Sequence, residues 1–316
     1  MSSLTRAETA SWLQKHDNYL ILTHRRPDGD TLGSAAALCR ILRQLGKIAY
    51  VLQNNEITEK YLHLYEGLAK AVCDEKDTVI CVDTASASLL PDAALPLLDR
   101  IALRIDHHGS ATSFTPFELV DPESAACGDI VYDIMQLMNM HLDKRTAEAL
   151  YTAVSTDTGC FRYANTNAHS FIVAAACAEA GGDLHRINQA IFDTNSFGRL
   201  RLQSWIVENI QFFANGAMAV CALPRQVETE LGLTEDDLEN VSGFPRSIEG
   251  VKLAATLREM EDGQVKVSVR AVPGYDAASV CAHFGGGGHK GAAGATLYMP
   301  LADAAQAVAK VMEELF

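Results

Sequence analysis

The sequence predicts an α/β protein of two domains: an N-terminal domain with a doubly wound, mainly parallel sheet, followed by a smaller C-terminal α/β domain. Three observations predict this class. At 316 residues, the chain is long for one hydrophobic core. In its N-terminal part, continuous apolar strands alternate with helical patterns, which is typical of a parallel sheet covered on both faces. After Asn215-Gly216, the pattern changes to strands joined by short turns.

The position of that break gives the domain limits. We expect the N-terminal domain to cover residues 1–195 and the C-terminal domain to cover residues 216–316. Residues 198–213 have the length and periodicity of a helix. Residues 196–215 are therefore expected to connect the two domains as a helix or linker.

The N-terminal domain is predicted to consist of short apolar strands and intervening helices. The strands are expected at residues 19–22, 47–52, 78–82 and 100–105. The helices are expected at residues 5–16, 35–42, 127–140, 146–155, 168–179 and 184–192. Because parallel strands end at the same edge of a sheet, side chains that directly follow them should lie close together.

The C-terminal domain is predicted to contain four strands and two helices. The strands are expected at residues 218–222, 251–257, 265–270 and 295–299. The helices are expected at residues 277–284 and 301–314. A turn at residues 261–263 joins the second and third of these strands as a hairpin.

The composition excludes some functions. The formal net charge of −14 argues against a broad basic surface for long nucleic acid, although cations can hold a short nucleotide at an acidic site. The eight cysteines form no C-x-x-C pair, so we expect reduced thiols. No apolar run approaches the roughly 20 residues of a membrane span, and the N-terminus lacks a signal core. We therefore expect a cytoplasmic protein without a membrane partner.

Acidic and histidine side chains gather where predicted strands and helices end: His24, Asp28, Asp30, Asp83, Asp106, His107, His108 and Asp157. Each alone can be explained as a turn residue, a helix cap or a satisfied loop histidine. Those explanations do not account for the placement of all eight side chains along one edge of the predicted sheet. Carboxylates mixed with imidazoles, without thiolates, suit two divalent cations, and converging aspartates without cations would repel one another. The sequence therefore favours a dinuclear phosphoesterase site.

Four motifs in chain order resemble those of the DHH phosphoesterase superfamily: His24-x-x-x-Asp28-x-Asp30, Asp83-Thr84-Ala85-Ser86, Asp106-His107-His108 and Asp157-Thr158-Gly159. Near the C-terminus, Gly286-Gly287-Gly288-His289, with Ser268-Val269-Arg270 upstream, resembles the DHH-associated domain. The resemblance spans about residues 19–296. One D-H-H tripeptide is weak evidence, but four ordered motifs with the glycine–histidine segment are specific.

This resemblance implies a role for each motif residue. The implied metal ligands are His24, Asp28, Asp30, Asp83, His107 and Asp157. Asp83 would bridge two divalent cations, which are expected to be Mn²⁺, with Mg²⁺ or Co²⁺ as alternatives. His108 would face the scissile phosphate as an electrophile or proton donor, and Asp106 would orient the histidine pair.

The C-terminal domain is expected to hold the substrate, with the active site in the cleft between the domains. The implied contacts are Arg270, Gly286, Gly287, Gly288 and His289. Arg270 suits a non-scissile phosphate because its guanidinium fork is bidentate. Successive glycines allow an anion-binding nest of backbone N–H groups, whereas the simpler alternative is a flexible linker.

Within the superfamily, the sequence most resembles the bacterial nanoRNase and pAp-phosphatase branch. That branch degrades very short oligoribonucleotides and removes the 3′-phosphate of 3′-phosphoadenosine 5′-phosphate (pAp). Short RNA, pAp and linear dinucleotides are therefore the expected substrates, and a homodimer is expected. Cleavage of cyclic di-AMP or pApA is an alternative within the family. An inert metal- or nucleotide-binding module is the non-enzymatic alternative, although every motif position is filled.

Overall fold

The computed structural model describes residues 2–238 and 241–316. Two compact units divide the chain, Met1–Thr194 and Asn195–Phe316. Within the described residues, no helix combines the length and the apolar character needed to cross a bilayer.

The first unit is built on a seven-stranded sheet. Its strands are β1 (Ser2–Ser3), β2 (Tyr19–Leu22), β3 (Ala49–Leu52), β4 (Ala69–Lys70), β5 (Thr78–Val82), β6 (Ile101–Asp106) and β7 (Phe117–Val120). They lie in the order β1-β7-β6-β5-β2-β3-β4, and every neighbouring pair is parallel. The predicted parallel sheet is confirmed. Strand β7 was not predicted, because Glu118 interrupts its apolar pattern.

Helices pack on one face of this sheet. They are α1 (Arg6–Lys15), α2 (Gly29–Gln44), α3 (Cys127–Leu137), α4 (Lys144–Asp157), α5 (Ala168–Glu179) and α6 (Leu184–Asn188), which continues into a π-helical turn, Gln189–Asp193. Their apolar sides form one core with alternate strand residues such as Ile21, Ile80 and Ile105. The other face, which includes Leu20 and Val79, is covered by shorter segments.

Helix α2 begins at Gly29, six residues before the predicted start at residue 35. Asp28 is its N-cap, and its carboxylate accepts hydrogen bonds from the N–H groups of Asp30 and Thr31. The predicted helix start was wrong, because this cap lets the helix start among the acidic residues.

Glycines allow three helices to approach closely. A Cβ atom at Gly33 of α2 would overlap the backbone carbonyl oxygen of Ala149 in α4. A Cβ atom at Gly128 of α3 would lie 2.6 Å from Cβ of Ala153, also in α4. This packing brings the first turn of α2 and the last turn of α4, where Asp157 lies, to the same edge of the sheet.

The second unit contains a six-stranded sheet. Its strands are β8 (Gln211–Phe213), β9 (Met218–Leu223), β10 (Leu253–Glu259), β11 (Val265–Ala271), β12 (Gly287–Gly288) and β13 (Ala292–Leu297). The order is β12-β13-β11-β10-β9-β8, with only β9 and β10 parallel. The helices are α7 (Phe197–Asn209), α8 (Arg225–Leu231), α9 (Glu235–Leu238), α10 (Ala277–His283) and α11 (Leu301–Leu315). The expected smaller C-terminal α/β unit is confirmed.

The helix predicted at residues 198–213 ends at Asn209 instead. Residues Gln211–Phe213 form strand β8, which pairs antiparallel with Met218–Val220. The predicted helix end was wrong, because this hairpin draws the last three residues into the sheet. Leu202 and Ile206 of α7 are buried in the second unit.

Candidate active site

The candidate site lies at the carboxyl ends of three neighbouring strands, in the order β6-β5-β2. His24 follows β2 after one residue, Asp83 directly follows β5, and Asp106 is the last residue of β6. From β2 the chain continues to β3 on one side, whereas from β5 it continues to β6 on the other. Ligands of open α/β sheets bind at such a switch point.

Asp83 is at the centre of the site. Its Oδ2 lies 3.7 Å from Nε2 of His24, and its Oδ1 lies 3.5 Å from Nε2 of His107. Oδ1 is buried and has no hydrogen-bond partner among the described residues. The backbone has φ of 51°, an uncommon conformation for a non-glycine residue. A buried acceptor without a donor, facing two imidazoles from its two oxygens, fits a carboxylate that bridges cations.

Three further carboxylates complete the cluster. Nε2 of His107 lies 3.6 Å from Oδ2 of Asp30 and 3.6 Å from Oδ2 of Asp157. Nε2 of His24 lies 3.6 Å from Oδ1 of Asp28. The ligand atoms fall into compact groups, each within 4.8 Å: His24 with Asp28 and Asp83, Asp30 with His107 and Asp157, and Asp83 with His107 and His108.

The site crowds negative charge into a buried space. Burial and the neighbouring Asp30 and Asp28 carboxylates raise the pKa of Asp83 well above its usual range. Burial, with repulsion from the same two carboxylates, also raises the pKa of Asp157. Bound divalent cations would remove this repulsion, so the residues present fit a metal centre.

Backbone carbonyls orient two of the imidazoles. Nδ1 of His24 lies 2.8 Å from the carbonyl oxygen of Arg25, and Nδ1 of His107 lies 3.2 Å from that of Ser124. A carbonyl only accepts, so each Nδ1 carries the proton and donates. In the neutral ring with its proton on Nδ1, Nε2 has the lone pair that a metal ligand requires.

The N-terminus of α3 holds Asp30. Its carboxylate accepts hydrogen bonds from the backbone N–H of Cys127 at 2.7 Å, the N–H of Gly128 at 3.0 Å and the hydroxyl of Ser34 at 2.9 Å. Sequence reasoning missed these supports. Ser34 lies one helical turn after Asp30, a spacing that could have indicated the contact.

Asp106 lies directly behind His108. One carboxylate oxygen, Oδ1, accepts the backbone N–H of His107 at 2.8 Å and Nδ1–H of His108 at 2.8 Å. Burial disfavours the charged form of both side chains, so it lowers the pKa of His108 and raises that of Asp106. The hydrogen bond between them outweighs burial, so the net effect is a raised pKa for His108 and a lowered pKa for Asp106. These hydrogen bonds are the contacts through which Asp106 is predicted to orient the histidine pair.

Arg104 holds Asp106 in place, and the sequence analysis did not predict this contact. This arginine is 1% exposed and lies two residues before Asp106, so both side chains project from the same face of β6. Its guanidinium is 3.7 Å from Oδ2 of Asp106 and 3.2 Å from Glu118. An arginine inside an apolar central strand could have indicated a buried acidic partner.

The residues predicted to bind substrate lie in the second unit. Arg270 is near the end of β11, and its Nη1 donates to the carbonyl of Val269 at 3.1 Å. Gly287 and Gly288 form β12, which pairs with β13. His289 is exposed in the turn that joins these two strands.

The glycine segment is built for close packing. The N–H of Gly286 donates to the carbonyl of Cys281 at 2.9 Å and closes the end of α10. The expected anion-binding nest is therefore wrong for Gly286, because its donor is already used. A Cβ atom there would lie 2.6 Å from Cβ of Ala295, and at Gly288 it would lie 2.6 Å from Cα of Ala293. These glycines let β12 lie against β13.

The fold and the site define a class: an α/β protein with a cluster of carboxylates and imidazoles at the carboxyl edge of a parallel sheet. Residues 18–154 match the family model described as DHH family, N-terminal domain. Residues 215–316 match the model described as DHHA1 domain. The chain belongs to the DHH family, whose phosphoesterases use divalent metals.

Curated relatives cover most of the chain. The bifunctional oligoribonuclease and PAP phosphatase NrnA of Thermus thermophilus is 33% identical over 282 residues, which cover 88% of this chain and 83% of that protein. The protein of the same name from Bacillus subtilis is 24% identical over 93% of each chain. These matches confirm the predicted DHH-family metal-dependent hydrolase and its branch.

A solved structure agrees with the fold. The crystal structure of an exopolyphosphatase-related protein from Bacteroides fragilis matches with a TM-score of 0.86 at 23% identity. The match covers 98% of this chain and 96% of that one. At this identity, the likeness concerns the arrangement of helices and strands.

Proposed function

We propose that this protein hydrolyses very short oligoribonucleotides and the 3′-phosphate of pAp, using two Mn²⁺ ions, with Mg²⁺ or Co²⁺ as alternatives. The placement of Asp83 is the observation that carries the proposal. Its two oxygens face His24 and His107 separately, at 3.7 and 3.5 Å, inside a cluster of further carboxylates. The names of the curated relatives supply the substrate class.

The two sides of Asp83 would hold one cation each. His24 and Asp28 would supply the remaining ligands of one cation, and Asp30, His107 and Asp157 would supply those of the other. Carboxylates and imidazoles without a thiolate favour Mn²⁺ over softer metals. When bound, such cations would neutralise phosphate oxygens and lower the pKa of a bound water.

His108 and Asp106 would act beside the cations. The Nδ1–H of His108 is held by Asp106, so the ring's Nε2 is the atom left to meet a phosphate oxygen or a leaving group. The raised pKa of His108 favours its protonated form, which can stabilise negative charge on that oxygen. Asp106 touches the histidine and would act through it as a positioning residue.

Charge supports short substrates. A net charge of −14 disfavours a long polyanion, whose binding would need many phosphate contacts. A few nucleotides can instead be held by the cations and by a few local groups. We propose Arg270, Gly287, Gly288 and His289 for those contacts.

Cellular placement and assembly complete the proposal. We propose a cytoplasmic enzyme, which the eight free cysteines support, because disulfides are rare in reducing compartments. We also propose a homodimer, on the family resemblance. Light scattering coupled to gel filtration measures the mass, and a mass of one chain would contradict the dimer.

A substrate panel tests the proposed function. Purified protein loaded with Mn²⁺ would be given pAp, pApA, short oligoribonucleotides, cyclic di-AMP, pyrophosphate and polyphosphate. Release of phosphate from pAp and of mononucleotide from the oligonucleotides is expected. Preferred cleavage of cyclic di-AMP or pApA would favour the family alternative, and no turnover of any compound by metal-loaded protein would favour an inert binding module.

A further inference from the structure

A groove of about 590 Å³ opens on the second unit beside the end of α10. Its size is in the range of small-molecule sites. Six of the residues that line it are Lys266, Ser268, Gly286, Gly294, Thr296 and Tyr298. Lys266 and Tyr298 have no role in the function proposed above.

The floor of the groove is nearly free of side chains. Along β11, half-buried residues alternate with buried ones, so Lys266, Ser268 and Arg270 share one face. Ser268 lies opposite Gly294, and Gly294 lies opposite Gly287 on the next strand. In this row of three residues, one each from β11, β13 and β12, the largest side chain is therefore the hydroxymethyl group of Ser268. A flat surface of this kind allows a sugar–phosphate chain to lie close to the backbone.

Two cationic side chains flank this floor. Lys266 and Arg270 are four residues apart on one face, which corresponds to roughly 13 Å of strand. Lys266 and Arg270 are therefore two separate cationic positions in line on this face, in a protein with a net charge of −14.

Tyr298 lies at the Lys266 end of the groove. Thr296 is the register partner of Lys266, and Tyr298 is two residues further along the same chain. Tyr298 is 79% exposed. An exposed aromatic ring beside a cation can stack a nucleobase while the cation contacts a phosphate.

We propose that Lys266 and Tyr298 form a second nucleotide subsite, in which Tyr298 stacks a base and Lys266 binds the adjacent phosphate. This inference rests on the proposed function and deepens it, because the subsite would contact short oligoribonucleotides but not pAp. A substrate of two or three nucleotides has a base and a phosphate beyond those near Arg270. pAp has one base and one ribose, so it fills a single subsite. The subsite therefore favours oligonucleotides over pAp.

Steady-state kinetics with 5′-phosphorylated triadenylate and with pAp test the subsite. Tyr298→Ala and Lys266→Gln should each raise KM for the trinucleotide about fivefold or more, with a smaller change in kcat, and leave KM for pAp within about twofold. Tyr298→Phe keeps the ring and should restore trinucleotide binding. Phe212→Ala, an exposed aromatic at the opposite edge of the sheet, and Lys310→Gln are the matched controls.

Equal effects on both substrates, or no effect on the trinucleotide, would overturn the subsite. Isothermal titration of Mn²⁺-loaded protein with phosphorothioate triadenylate separates this failure from failure of the proposed function. If nothing is hydrolysed but titration shows binding that Tyr298→Ala weakens, the proposed function fails and the subsite holds. If the wild type hydrolyses the trinucleotide and the variants bind it normally, the subsite fails and the function holds.

Discussion

Nδ1 of His108 lies 2.8 Å from Oδ1 of Asp106, and the same oxygen accepts the backbone N–H of His107. One buried carboxylate thereby fixes the ring of His108 and the backbone that positions the neighbouring ligand. Arg104 and the sheet hold Asp106 from behind. The histidine pair is therefore oriented before any substrate arrives.

Asp106→Asn should reduce kcat about 10- to 100-fold and leave bound metal nearly unchanged. An amide accepts more weakly than a carboxylate and cannot hold His108 as its cation, but no proposed metal ligand is removed. Kinetics together with metal analysis of the purified variant checks this. Loss of metal equal to the loss of activity would instead make Asp106 part of the cation site.

Asp83→Asn should have opposite effects on stability with and without cations. Without cations, the change removes a buried, repelled carboxylate, so the free energy of unfolding should rise by about 1 kcal/mol or more, or roughly 2–4 °C in Tm. With Mn²⁺, the wild type should gain stability and the variant should gain little. Thermal unfolding in chelator and in Mn²⁺ measures both effects.

Asp92→Asn, at an exposed position outside the helices, is the control for charge alone, and it should change neither curve. If the chelated Asp83→Asn protein were less stable than the wild type, the repulsion argument would be wrong. A normal Mn²⁺ response in that variant would contradict the central place of Asp83.

Gly33→Ala should cost about 1–3 kcal/mol of stability and most of the activity. The new methyl group would overlap the backbone of Ala149, so α2 and α4 must separate, and with them Asp30 and Asp157. Gly243→Ala is the matched control, because a Cβ atom at Gly243 meets nothing within 4 Å. Urea unfolding compares them, and equal stability of the two variants would argue against the close helix packing.

Asp129→Asn should stabilise the protein in a pH-dependent way. Burial raises the pKa of Asp129 to about 6, above the value of about 3.9 in unfolded chains. Protonated Asp129 therefore contributes its full stabilisation of the folded state below about pH 4. This stabilisation is lost as the pH rises through about 6. Urea unfolding between pH 4 and pH 7.5 should show a gain for the variant that grows to about 3 kcal/mol. A gain that does not vary with pH would contradict the assigned cause.

The sequence predicted the parts of the site that depend on strand ends. Asp83 directly follows one predicted strand and Asp106-His107 directly follow the next, and a parallel sheet brings such positions to one edge whatever the details of packing. It could not predict the contacts that place Asp157 beside Asp30. Those depend on how closely α2 and α4 approach, which is a matter of tertiary packing at Gly33.

The errors have the same physical origin. Residues 211–213 continue a helical pattern, but pairing with Met218–Val220 decides their conformation, and local propensity cannot show such a partner. Gly286 was expected to offer its N–H to an anion, but that group closes the end of α10. Arg104 was predicted only as part of a strand, because its acidic partners lie on neighbouring segments.

The most direct test of the central claim is the rate at which Mn²⁺-loaded protein releases AMP from pApA, compared between the wild type and Asp83→Asn. The wild type should turn over the dinucleotide, and the folded variant should be at least about a thousandfold slower, because it loses the carboxylate shared by both cation sites. Comparable rates for the two proteins would contradict the claim that Asp83 organises a divalent-cation site for phosphoester hydrolysis.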